Sequence, residues 1–146
     1  MSIEIQWPSH AYAPGKTQRH KDGTFSSICA AIHPGLSADQ IANSSAFHHG
    51  LLFLDAGFYW ESHEVLEPVW LALPDGSAER RLVTCLIQIA NAKLKLKMEK
   101  PKAAARICVI VRNLLENLPC DSILGIDRGT ILQHLDDLDC NLNCVL

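Results

Sequence analysis

The chain has 146 residues, 48% of them hydrophobic and 20% charged, with a formal net charge of −3. This is the length of one globular unit able to bury roughly 70% of its unfolded surface, and the small negative charge excludes a general attraction to nucleic acid or anionic membrane. No apolar stretch nears the ~20 residues of a membrane-spanning helix, and the N-terminal segment lacks a charged region followed by an apolar one, so a cytoplasmic location is expected.

Residues 1–36 hold no period. Pro8, Pro14-Gly15, Gly23 and Pro34-Gly35 punctuate them, which predicts an extended arm with a short helix around 24–32. Trp7 and Tyr12 are expected to dock that arm on the body. From residue 37 to 146 the pattern is helical. Ser37 followed by Gln40 is a capping-box start, and a first helix is predicted to run to about Asp55, with Phe47, Gly50, Leu51 and Leu54 on one stripe. Gly57 ends it. A second helix covers about 59–72 and stops where Pro74 and Asp75-Gly76 force a turn. A third runs from Ala78 to about Met98. Pro101 suits a first helical turn, so a fourth spans about 102–117. After the connection "LPCDSILGIDRG" a fifth is predicted at 127–138, grouping Leu132, Leu135 and Leu138. Nothing reads as a β-sheet. The expected fold is all-α, a single-domain bundle or array of about five helices preceded by the arm, with short loops favouring antiparallel neighbours.

The densest polar chemistry lies in "FYWESHEVLEPVW", residues 58–70. Taking about 100° per residue, Val65, Leu66, Val69, Trp70 and Leu73 share the core arc. His63 and Glu67 sit one turn apart at its edge, with Glu64 and Glu61 further round. On the third helix, Leu82, Val83, Leu86, Ile89, Ala90 and Leu94 form the apolar face. Opposite them Thr84, Gln88, Asn91 and Lys95, joined by Arg81, form a narrow polar stripe. Such a stripe is ordinarily a solvated face. Turned toward the second helix instead, it would set Lys95 and Arg81 against Glu64 and Glu67 across a cleft.

His63-Glu64-x-x-Glu67 differs by one residue from the zinc-protease helix, with Glu67 in place of the second histidine. A His/Glu pair is too few ligands for a metal, so His20 and His49 are the candidates to complete a site with His63 and Glu67. No Glu-x-x-His pair supports a di-iron centre. The six cysteines form no Cys-x-x-Cys pair. Cys85 and Cys108 fall in apolar patterns, and Cys140 and Cys144 have no second pair at zinc spacing. The basic run at 93–102 lacks interleaved aromatics and reads as a solvated helix end, arguing against nucleic acid.

"HHGLLFLDAGFYWESHEVLEPVW" and "ERRLVTCLIQIANAKLKLK" together resemble the uncharacterised family catalogued as domain of unknown function 309. The positions carrying the resemblance are Gly50, Gly57, Tyr59, Trp60, Glu61, His63, Glu64, Glu67, Trp70, Gln88 and Lys95. In the arm, Tyr12, Pro14, Gly15, Thr17 and His20 resemble a segment of longer members. Asp55, Ser62 and Glu99 depart from the pattern, and Glu99 stands where a glycine usually ends the third helix. The resemblance implies a compact all-α fold and no established activity.

Two functional readings stand. The first is a ligand- or partner-binding module with a polar cleft built from Trp60, Glu61, His63, Glu67, Trp70, Gln88 and Lys95. It would take a small molecule or a protein, a second copy of the chain included. The second is a hydrolytic enzyme, metal-dependent or acid–base, with His63, Glu64 and Glu67 as catalytic candidates. The sequence requires no cofactor for either.

Overall fold

Three serines start three helices. Ser37, Ser44 and Ser77 hold extended backbone, and each side chain accepts the N–H three residues on, from Gln40, Phe47 and Arg80 at 3.1, 3.2 and 3.1 Å. At Ser37 the box closes, its own N–H donating to Gln40 Oε1 at 2.8 Å. The computed structural model describes residues 3–145. Its elements are α1 (Ser26–Cys29), α2 (Ala38–Ala42), α3 (Ser45–Ala56), α4 (Tyr59–Ala72), α5 (Ala78–Lys97), α6 (Pro101–Glu116), β1 (Ser122–Ile123), β2 (Ile126–Asp127) and α7 (Arg128–Val145). The all-α expectation holds.

The details differ from the five-helix reading in three places. The predicted first helix is broken in two, because the Asn43 side chain donates to the Asp39 carbonyl and the Ser44 hydroxyl donates to that of Ile41, drawing the backbone out of the helical ladder. The last helix continues past residue 138 to Val145, burying Leu142 and carrying Cys140 and Cys144 on its exposed side. Before it, β1 and β2 pair antiparallel, Ser122 with Asp127 and Ile123 with Ile126. Leu124 and Gly125 make that turn at φ 54° and 75°, the doubly positive conformation that matches strand twist.

Consecutive helices α3, α4, α5 and α6 pack as neighbours, and α7 closes over α5 and α6. Phe47, Phe53, Leu66, Leu86, Ile89 and Leu135 are among the fully buried side chains between them. The α3–α4 contact is close because of Gly50: a Cβ there would lie 2.4 Å from Leu66 Cδ2. Ser62, also buried, donates to the Gly50 carbonyl at 2.7 Å, tying the same two helices. Gly57 ends α3 in the left-handed region at φ 90°. Between α5 and α6, Glu99 adopts φ 61°, a conformation that costs any residue with a Cβ. Its carboxylate pairs with Lys16 at 2.8 Å.

The segment before α2 lies on this body. The Gln6 N–H donates to His49 Nε2 at 3.0 Å, and the Trp7 ring packs against Phe53 and Phe58. Ile28 joins the core. No helix of the described residues is long and apolar enough to cross a membrane.

Candidate functional site

Helix α4 presents two adjacent polar stripes, each lining a cavity. His63, Glu67 and Trp70 face Thr84, Ile87, Gln88 and Asn91 of α5 across a cleft of about 270 Å³. His63 Nδ1 donates to Asn91 Oδ1 at 2.8 Å, and the Asn91 amide reaches Gln88 Oε1 at 3.5 Å. With Nδ1 carrying that proton, Nε2 is left beside Glu67 Oε2 at 3.4 Å. The imidazole is therefore oriented, with one nitrogen committed and the other presented beside a half-exposed carboxylate. Along the same wall the Trp70 indole N–H donates to Thr84 Oγ1 at 2.9 Å, while the Arg80 guanidinium lies 3.8 Å over the Trp70 ring.

The second stripe, Trp60, Glu64 and Pro68, lines an open cavity of about 280 Å³ whose other wall is formed by Arg19, His20, Lys21, Asp22, Thr24 and Phe25. Next to it, Glu61 is fully buried. One of its oxygens, Oε2, accepts from the Tyr12 N–H at 2.7 Å and from His20 Nε2–H at 2.6 Å; the other, Oε1, is buried without a partner. The His20 ring stacks on Trp60, and Tyr12 meets Trp60 edge-on. Burial holds the Glu64 carboxyl above its ordinary range, with Glu67 and Glu61 adding to the effect and His63 and Arg19 opposing it.

The structure thus divides the predicted residues. His63, Glu67, Trp70 and Gln88 come together, with Asn91 rather than Gln88 as the direct partner of His63. Trp60 and Glu61 belong to the neighbouring stripe under the arm. Lys95 lines neither cavity. Helices α4 and α5 pair Trp70 with Thr84 and His63 with Asn91, so Lys95 stands about 12 Å further along α5 than the level of Glu67. Arg81, expected to oppose the same carboxylates, donates instead to the Asn117 carbonyl at 2.7 Å.

The four metal candidates occupy three separate places. His20 gives its Nε2–H to Glu61 beneath the arm, away from the other three candidates. His49 is buried with both ring nitrogens used: Nδ1 donates to the Ser45 carbonyl at 2.8 Å while Nε2 accepts from Gln6. Only His63 and Glu67 remain together, and the described residues hold no cluster of three or more His, Cys, Asp or Glu side chains placed for a metal ion.

One polar group escaped sequence reasoning. Lys93, read as part of a solvated end, is half-buried and donates to His134 Nδ1 at 2.9 Å, with Tyr59 beneath it. Burial lowers the pKa of Lys93; burial, then the Lys93 charge, lowers that of His134. The missed partner sits on α7, and no spacing within one helix links residues 93 and 134.

No curated protein and no solved structure matches the chain. Residues 47–107, which run from α3 through α5 into α6 and contain every α4 and α5 residue of the cleft, match the family model described as Domain of unknown function (DUF309); over that stretch the chain resembles this family.

Proposed function

We propose that the chain is a small-molecule binding module whose site is the α4/α5 cleft, and that its ligand is a nitrogenous compound rich in hydrogen-bond donors. The observation that carries this is the orientation of His63. Asn91 holds Nδ1, so the cleft receives the bare Nε2 and the Glu67 carboxylate, both acceptors when the imidazole is neutral. Trp70 and Ile87 supply apolar wall. A few convergent polar groups on an apolar floor is the usual composition of a small-ligand site. No Lys or Arg lines the cleft among the described residues, the Arg80 guanidinium being held over the Trp70 ring, and this favours a donor or cation over an anion.

The same geometry favours a second reading, an acid–base enzyme in which His63 Nε2 takes a proton and Glu67 steadies the imidazolium. A metal-dependent form has only His63 and Glu67 to offer. Binding is tested with benzamidine as donor probe and benzoate as its anionic counterpart, reading the Trp70 indole N–H resonance. Benzamidine is expected to shift that resonance, and Glu67→Gln to abolish the shift. A shift produced by benzoate and not benzamidine would overturn the assignment.

A further inference from the structure

The arm does more to Glu61 than cover it. A fully buried carboxylate is costly unless it is paired, and this one is paired with an imidazole whose side chain is only 4% exposed. The pair is built from both sides. Tyr12 N–H holds the accepting oxygen in place, and His20 is clasped between the Trp60 and His10 rings, at 5.8 and 4.4 Å between centroids. Because Nε2 gives its proton to Glu61, the other nitrogen, Nδ1, carries the lone pair. Among the described residues Nδ1 has no hydrogen-bond partner, and the ring it belongs to lines the cavity of about 280 Å³. A carboxylate, an imidazole oriented by it and a free lone pair beside a cavity is the arrangement of a general base.

We propose that His20, positioned by Glu61, is a general base for the cavity beneath the arm, removing a proton from carbon in a small uncharged substrate packed against Trp60 and Phe25. The lack of net charge follows from the rim, where Arg19 and Lys21 are balanced by Asp22 and Glu64. Proton abstraction, rather than acyl transfer, follows from the nearby nucleophiles: among the described residues the Ser26 hydroxyl on the cavity wall makes no hydrogen bond to His20 that would activate it. The Cys29 thiol is pushed up to about 11 by burial and contacts the Val65 carbonyl, and the Thr24 hydroxyl donates to the Lys21 carbonyl. In the step itself the Nδ1 lone pair forms the new N–H bond. The C–H electron pair moves into the adjoining acceptor of the substrate, leaving an oxyanion in a cavity whose lining includes Arg19 and Lys21. The imidazolium charge is met by Glu61 through Nε2–H, and the proton then returns to the product or passes to solvent. This site shares no residue with the α4/α5 cleft, so the two assignments stand or fall separately.

The probe is 5-nitrobenzisoxazole, whose base-driven ring opening transfers one C–H proton, breaks the N–O bond and releases a coloured cyanophenolate. The intact protein is expected to exceed an equal concentration of free imidazole by on the order of 10²-fold. His20→Gln should lose that excess. Glu61→Gln keeps the shape and the Tyr12 contact but removes the charge that favours the imidazolium. The pH at which the rate half-develops should therefore fall, a change that a purely structural clip would not produce. The titrating neighbours to be held constant are His10 and Lys21 of the arm, Asp22 and Glu64. Should His20→Gln fail to fold, nitrogen NMR of the unaltered protein decides: the proposal requires His20 to be protonated at Nε2 and bare at Nδ1. The opposite tautomer, a rate no greater than that of free imidazole, or a folded His20→Gln with undiminished rate would each overturn it.

Discussion

Gly50→Ala sets two effects of opposite sign against each other. Inside a helix, alanine in place of glycine favours folding by about 1 kcal/mol. At Gly50 the added Cβ would lie 2.4 and 2.5 Å from Leu66 Cδ2 and Cγ, where carbon atoms normally meet near 3.5–4.0 Å. Leu66 is fully buried in the α3–α4 interface, so either it leaves its rotamer or the two helices part. Parting them stretches the Ser62 bond to the Gly50 carbonyl. Overpacking of this kind costs about 1–3 kcal/mol, and two contacts shortened by roughly 1 Å place it at the upper end. After the propensity gain the net loss is about 2 kcal/mol, equivalent to a fall in melting temperature of roughly 4–8 °C. Thermal unfolding followed by circular dichroism measures it directly. Gly129→Ala is the matched comparison, since a Cβ there meets nothing within 4 Å, and that change should raise the melting temperature or leave it alone. A Gly50→Ala protein that melts at or above the unaltered temperature would refute the close-approach argument.

His63→Ala removes one hydrogen bond in a cleft open to water, so it should cost only about 1 kcal/mol in chemical denaturation while eliminating the benzamidine-induced shift; a loss several times larger would make His63 a brace. His134 titrates lower in the folded chain than its ordinary 6.5, so between those two values the unfolded chain binds more protons and stability falls as pH drops through that window. Replacing His134 by Asn should flatten that acid-side decline in a series of denaturation curves between pH 7 and 5. Cys29 and Cys85 have thiols pushed up to about 11 by burial, whereas Cys120, Cys140 and Cys144 are exposed. Iodoacetamide at pH 8 should label the exposed three first, as read by peptide mass spectrometry, and early labelling of Cys85 would contradict the core described above.

Much of the helical framework was legible because its signals are local. A serine that caps the third N–H on, a glycine that turns left-handed at Gly57, or a proline at the first position of α6 acts within one turn of chain. The same holds for His63 and Glu67, neighbours on any helix at that spacing. The break at Asn43-Ser44 was local too, but two side-chain bonds there outweighed an unbroken apolar period.

What the linear pattern could not supply was which surface meets which, and at what height. Periodicity assigns a residue an angle around its own helix. It says nothing of the axial offset between two helices, so Asn91 rather than Gln88 holds His63, and Lys95 overshoots Glu67. Nor does it say what an irregular segment will cover. Glu61 lay away from the core arc of its helix, yet it is among the most deeply buried charged groups, because Tyr12 and His20 arrive from more than forty residues away. Lys93 and His134 meet for the same reason. Helix starts and stops are decided by backbone groups within one turn, whereas the partners of a carboxylate or an imidazole are decided by packing, which exists only once the whole chain has folded.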